Sequence, residues 1–224
     1  MFKSETNMVK PVVQWMESLD LTVKSEFITP WGICDLVGLS FKKTSVSQRR
    51  GLKQTQAVSS LTRAALLFRI PEDKAITLRR LVRECGPTIP EEIVIEHAQR
   101  LIADRFVRRS GDRLQRLNGW VPLHKRLIAV ELKLNRVEEA MSQARNNLIF
   151  ADKSYVGLPE DLAVRVATKR KRWSTFLDNG VGLLSVAPRE CTIVIPSRHR
   201  SSEPDRVVQF YCVEKFWRTS AKDS

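Results

Sequence analysis

The pattern of apolar and polar positions changes character twice along this chain. Residues 8 to 19, MVKPVVQWMESL, carry apolar side chains at helical spacing and predict a short amphipathic helix ending near Asp20. Glu26-Phe27 and the run from Trp31 to Leu39 predict two strands joined by a turn at Pro30-Trp31-Gly32. Lys42 to Ser60 is polar and basic with little apolar periodicity, and it reads as a linker or mobile loop.

The first change comes near Ser60. Leu61 to Phe68 predicts one helix, and Leu78, Leu81 and Val82 follow at the spacing of a second that stops at Gly86-Pro87. Pro90-Glu91-Glu92 starts a third, with proline in its first turn and acids at the positive end of its dipole. Phe106 to Arg109 and Arg113 to Leu117 then read as two strands about a tight Ser110-Gly111-Asp112 turn. Three helices followed by a basic hairpin is the order of elements in a winged helix-turn-helix.

The second change follows Pro122. Leu127 to Lys133 is a strand apolar enough to be buried, Val137 to Phe150 a helix, and Ser154 to Pro159 another strand. A basic helix is expected over Asp161 to Phe176, then strands at Gly182 to Val186 and Cys191 to Ile195. This β-α-β order implies an α/β fold, a mixed sheet with helices packed on it. Val207 to Trp217 is apolar enough to dock back on the body. The expected division is residues 1–59 and 123–224 for a core with its tail, interrupted by residues 60–122.

Charge narrows the partners. Thirty-eight Lys and Arg against 25 Asp and Glu leave +13. Such a surface attracts polyanions, nucleic acid before acidic membrane or acidic protein. No apolar run approaches the length of a membrane span, and nothing at the N-terminus resembles a secretory signal, so a cytoplasmic protein is expected. Cys34, Cys85, Cys191 and Cys212 are far apart and give neither a zinc spacing nor a disulfide framework. The three histidines are scattered. Any metal here should therefore be held by oxygen.

The strand Val130-Glu131-Leu132-Lys133-Leu134 is the most informative piece of the sequence. Alternation puts Glu131 and Lys133 on one face, at the polar end of an apolar strand. Opposite charges on a buried-type strand usually pair or work. Asp35 begins the apolar run Leu36-Val37-Gly38-Leu39 in the same way. If the two strands are neighbours, Asp35 and Glu131 can share one hard cation, Mg²⁺ or Mn²⁺, and Lys133 can orient a water or stabilise charge on a phosphorane.

Asp35, then Glu131-Leu132-Lys133, then a helix carrying Gln143-Ala144, then Ser154 to Pro159, resembles the PD-(D/E)XK nuclease superfamily. The resemblance implies a restriction-endonuclease-like fold and a metal-dependent phosphodiesterase acting on DNA, less often RNA. It covers about the first 40 residues and Leu127 to about Ile195, leaving the winged-helix-like block as an insertion. Asp35 matches the family's first-motif acid, and Glu131 and Lys133 its (D/E)XK pair. Glu26 resembles an accessory acid that joins the metal ligands, and Gln143 the glutamine that often follows the motif. Cys34 stands where the family has proline, and 96 residues separate Asp35 from Glu131.

Two basic blocks are candidate nucleic-acid contacts. Arg105, Arg108, Arg109, Arg113, Arg116, Lys125 and Arg126 face a single acid, Asp112, and would line a wing that tracks phosphates. Lys169, Arg170, Lys171 and Arg172 precede Trp173, which either stacks on a base or packs in the core, and Trp15, Trp31, Trp120 and Trp217 are expected to be core or seam residues. Glu91, Glu92 and Glu96 would repel phosphates from the third helix, so the inserted module has contact with protein, including a homodimer, as its other expected use. Two other functions fit the sequence: a non-catalytic DNA-binding regulator, and a protein that engages RNA or ribosomes by charge alone.

Overall fold

The computed structural model describes residues 2–117, 122–198 and 204–220. Along the chain run α1 (Thr6–Ser18), β1 (Thr22–Thr29), β2 (Gly32–Phe41), α2 (Lys43–Gly51), α3 (Leu61–Arg69), β3 (Ile76–Thr77), α4 (Leu78–Cys85), α5 (Glu91–Ala103), β4 (Val107–Ser110) and β5 (Arg113–Arg116). They are followed by β6 (His124–Leu132), α6 (Val137–Asn147), β7 (Lys153–Pro159), α7 (Glu160–Ala167), α8 (Arg170–Asn179), β8 (Gly182–Ala187), β9 (Glu190–Ile195) and α9 (Arg206–Ser220). These elements form two units. The first takes Met1–Ser40 and His124–Arg206, the second Phe41–Leu123 and Val207–Ser224.

The first unit is α/β, a mixed six-stranded sheet in the order β1-β2-β6-β7-β8-β9. β6, β7 and β8 run parallel, while β1 pairs antiparallel with β2 and β9 with β8. Period-two alternation sends neighbouring residues to opposite faces. Tyr155, Leu184 and Val186 pack with Met8, Val12 and Met16 of α1, whereas Val156 and Leu183 pack with Ala140 and Ala144 of α6. Met8, Val12 and Met16 recur every four residues, which lays one stripe of α1 on the sheet. Gly38 leaves room for that contact, since a Cβ there would sit 2.6 Å from the Met16 terminal methyl and push that side chain aside. The basic helix expected over Asp161 to Phe176 is two helices, α7 and α8, and Trp173 packs on the α6–α8 core.

The second unit packs α3, α4 and α5 with a three-stranded antiparallel sheet in the order β3-β5-β4. Its core joins Leu66, Leu67, Leu81, Val94, Leu101, Phe106 and Leu114 to Phe210 of α9. Ser60 and Thr77 cap α3 and α4, each side-chain oxygen accepting a backbone N–H three residues on. The segment read as a linker from Lys42 contains α2, whose buried residues are polar: Ser45 and Arg49. Arg49 is 1% exposed and donates to both oxygens of Glu214 on α9, at 2.6 and 3.2 Å. Its guanidinium also lies over the rings of Phe106 and Trp217, at 4.7 and 4.8 Å. A buried ion pair therefore orders a helix that no apolar stripe announced.

The units differ from the expected division in two places. The second begins at Phe41 instead of residue 60, and it reclaims the C-terminal helix from the core. Trp120 lies outside the described residues. Trp31 is 41% exposed at the β1–β2 turn, not a core residue. Among the described residues, no helix is long and apolar enough to cross a membrane.

Candidate active site

Asp35 lies on β2 and Glu131 on β6, adjacent strands of the first unit's sheet. The condition for their sharing a cation is thereby met. One Asp35 oxygen accepts the backbone N–H of Leu132 at 2.7 Å, which fastens the carboxylate to the strand carrying Glu131. Asp35 also lines an open cleft of about 360 Å³ with Glu5, Thr6, Val9, Ser25, Glu26 and Leu132. Glu131 does not line this cleft and is only 2% exposed. The pair thus has one member facing an open cleft and one buried.

Asn147 and Cys34 flank the Glu131 carboxyl. Asn147, at the last turn of α6, donates its amide to Oε1 at 2.6 Å, and the same amide reaches the Cys34 sulfur at 3.4 Å. The Cys34 thiol lies beside Glu131 and donates to the Leu36 carbonyl at 3.3 Å. Oε2 has no hydrogen-bond partner. Burial and the negative charge of Asp35 push the Glu131 carboxyl up to about 7, against the pull of Asn147, Cys34 and Lys133. Burial, followed by the charge of Glu131, raises the Cys34 thiol well above its ordinary range, so it stays protonated.

Lys133 is 6% exposed and lies just beyond β6, where its N–H continues the ladder by donating to the Gly157 carbonyl at 3.2 Å. Its ammonium stands 3.8 Å from Glu5 and 3.9 Å from Glu139. Glu5 additionally accepts the Leu134 N–H at 3.3 Å. The cation is therefore held between Glu5, just before α1, and Glu139 of α6.

Glu26 falls opposite Asp35 in the β1–β2 register, between the pairs Ser25–Leu36 and Phe27–Cys34. Its φ of +50° is left-handed, a conformation costing a non-glycine residue roughly 1–2 kcal/mol. Among the described residues, no three Asp, Glu, His or Cys side chains form a group that could hold a metal. Glu26 thus shares the cleft with Asp35 without completing a three-carboxylate cage with Glu131. Gln143 lies one turn before Asn147 on α6, its amide oxygen buried without a partner. Asn147, Cys34, Glu5 and Glu139 were not singled out by the sequence. Asn147 alone left a signal, its i+4 relation to Gln143 on a helix facing the Glu131 strand.

The residues present fit a divalent cation at Asp35 and Glu131. A buried carboxylate oxygen without a donor, on a carboxyl raised toward neutrality by a second carboxylate, is the environment that a small hard cation relieves. Such a cation supplies Lewis acidity toward a phosphodiester.

The basic candidates fall into separate places. Arg105 follows α5, while Arg108, Arg109, Arg113 and Arg116 lie on the β4–β5 hairpin of the second unit. Arg116 is half-buried, 3.7 Å from Glu72, and Arg108 bonds Gln115 across the hairpin. Lys125 and Arg126 lie on β6 of the first unit, so they are not part of the wing. Lys169, Arg170 and Lys171 are exposed at the start of α8, and Arg172 stands 3.8 Å from Glu138.

No family model and no curated protein matches the sequence. Among solved structures the chain is similar to a protein of unknown function from Silicibacter pomeroyi. The identity is 10% and the TM-score 0.44, over 100% of this chain and 93% of that one.

Proposed function

We propose that this protein is a metal-dependent nuclease that hydrolyses DNA phosphodiester bonds. The observation that carries the reading is the unpartnered Oε2 of buried Glu131, on the strand next to Asp35 and two residues before Lys133. The element order α1-β1-β2-β6-α6-β7, with strand order β1-β2-β6-β7, supports a restriction-endonuclease-like core. The three helices and the β3-β5-β4 sheet support a winged-helix-like insertion. Asp35 and Glu131 hold Mg²⁺ or Mn²⁺, with Glu26 as the additional acid at the cleft. Lys133 orients the attacking water or stabilises the charge that develops on the phosphorane. Asn147 and Cys34 keep the Glu131 carboxyl in place, and Gln143 has a free acceptor for the same region.

The test is cleavage of linear, circular, single- and double-stranded DNA with Mg²⁺ or Mn²⁺, wild type beside Lys133→Ala. Metal-dependent cleavage that the variant loses supports the site, and the circular substrate separates endo- from exonuclease action. A second reading, a non-catalytic DNA-binding regulator, draws on the exposed arginines of the β4–β5 hairpin. Intact substrates with DNA bound in EDTA would favour it.

A further inference from the structure

A groove of the second unit runs along α4 and α5. It measures about 840 Å³ and is lined by Thr77, Leu78, Arg79, Arg80, Val82, Arg83, Glu91 and Ile95. Leu78, Val82 and Ile95 are half-buried and give it an apolar floor. Arg80 is held by Glu84 at 2.7 Å. Arg79 and Arg83 are exposed and make no ion pair among the described residues. They stand four residues apart on α4, so about 6 Å of helix separates them. Like charges this close repel unless an anion relieves them.

The basic wall does not end with α4. Thr77 pairs with Arg113 of β5, and the Leu78 N–H donates to the Asp112 carbonyl at 3.0 Å. Arg113 is thus the β5 partner of Thr77, the residue that caps α4, which places it beside the start of the helix that carries Arg79 and Arg83. The acids facing it are Glu91 in the opposite wall, Glu92 beside it and Asp112 at the hairpin turn; Glu84 is engaged by Arg80. Guanidiniums beside an apolar floor suit an evenly charged polyanion better than a short acidic peptide.

We propose that this groove is a track for the phosphate backbone of nucleic acid, gripped by Arg79 and Arg83 of α4 and continued by Arg113 of β5. The acidic α5 shapes the far wall and does not read bases, so binding is indifferent to sequence. The track needs no metal and does not depend on the chemistry of the carboxylate cleft.

The test is fluorescence anisotropy of the full chain, in EDTA, on short labelled duplexes of two unrelated sequences across a salt series. Both sequences should bind within about twofold of each other. Arg79→Glu with Arg83→Glu should weaken binding by at least about tenfold and lower the salt slope by about two, with an unchanged circular-dichroism melt. Lys3→Glu with Lys10→Glu, the same change in net charge on the first unit, should cost less than about twofold. Glu91→Lys should tighten binding, an outcome that misfolding cannot imitate. An unchanged affinity and slope in the arginine variant would overturn the proposal, as would no duplex binding by wild type. Displacement of DNA by poly-L-glutamate as effectively as by unlabelled DNA would overturn it in favour of an acidic protein segment.

Discussion

Among the described residues two glutamates are almost fully buried, and their surroundings are opposite. Glu214 is 0% exposed and accepts from both Arg49 nitrogens and from the Val58 N–H at 2.9 Å, so each of its oxygens has a donor. Arg49 in turn reaches the Gln54 and Gln56 carbonyls, both at 3.3 Å. Glu131 is 2% exposed and keeps one oxygen with no donor at all. Burial alone therefore does not separate structural carboxylates from working ones. The difference is whether the fold completes the hydrogen bonds or leaves one for something else.

The largest effect expected is at Glu214. Glu214→Ala strands the Arg49 charge in the second unit and should cost about 3–5 kcal/mol by denaturant unfolding. Arg49→Met combined with Glu214→Leu should recover most of that loss. A single variant that unfolds like wild type would remove the structural half of the contrast.

Glu131→Gln should do the reverse, stabilising the metal-free protein while abolishing cleavage. The Glu131 carboxyl sits at about 7 when folded, against an ordinary 4.5. Its raised value favours the folded state fully below about pH 4.5, and that contribution fades as pH rises through about 7. Glutamine cannot titrate, so the variant's advantage should grow across this window to about 3 kcal/mol. Chemical denaturation in EDTA at a series of pH values reads it directly. A pH-independent difference between the two proteins would contradict the assigned environment.

Mn²⁺ comes next in size. At a hundredfold excess over its Kd it should stabilise wild type by about 2.7 kcal/mol. The shift should be larger at pH 8 than at pH 6, because the proton on Glu131 competes with the ion. Thermal melts of Glu131→Gln and Asp35→Asn should show no such shift.

The smallest effect belongs to Glu26. Glu26→Gly relieves the φ of +50° and should gain about 1 kcal/mol. The Mn²⁺ shift should survive in part if Glu26 only lines the cleft. Its complete loss would make Glu26 a ligand equal to Asp35.

What the sequence revealed follows from where the physical signal is apolar. The strands around Glu131 and Asp35 were legible because period-two alternation and buried runs mark them, and β2 and β6 are indeed neighbours. The groups that support Glu131 were not, since Asn147 and Cys34 look like ordinary helix and strand residues until the sheet brings them together. α2 went unseen because its buried positions are Ser45 and a charge, Arg49, whose partner lies far along the chain. The basic block from Arg105 to Arg126 looked like one patch because its members are close in sequence. The boundary between the units falls at Leu123–His124 and divides it.

Arg49 and Glu214, 165 residues apart, also impose an order on synthesis. A chain emerging from the ribosome exposes Arg49 long before its counter-charge exists, and β6 to β9 of the first unit are translated in between. The second unit can complete this ion pair only after Asp35, Glu131 and Lys133 have been translated. A nascent chain stopped short of Glu214 carries an unneutralised guanidinium where its core should be.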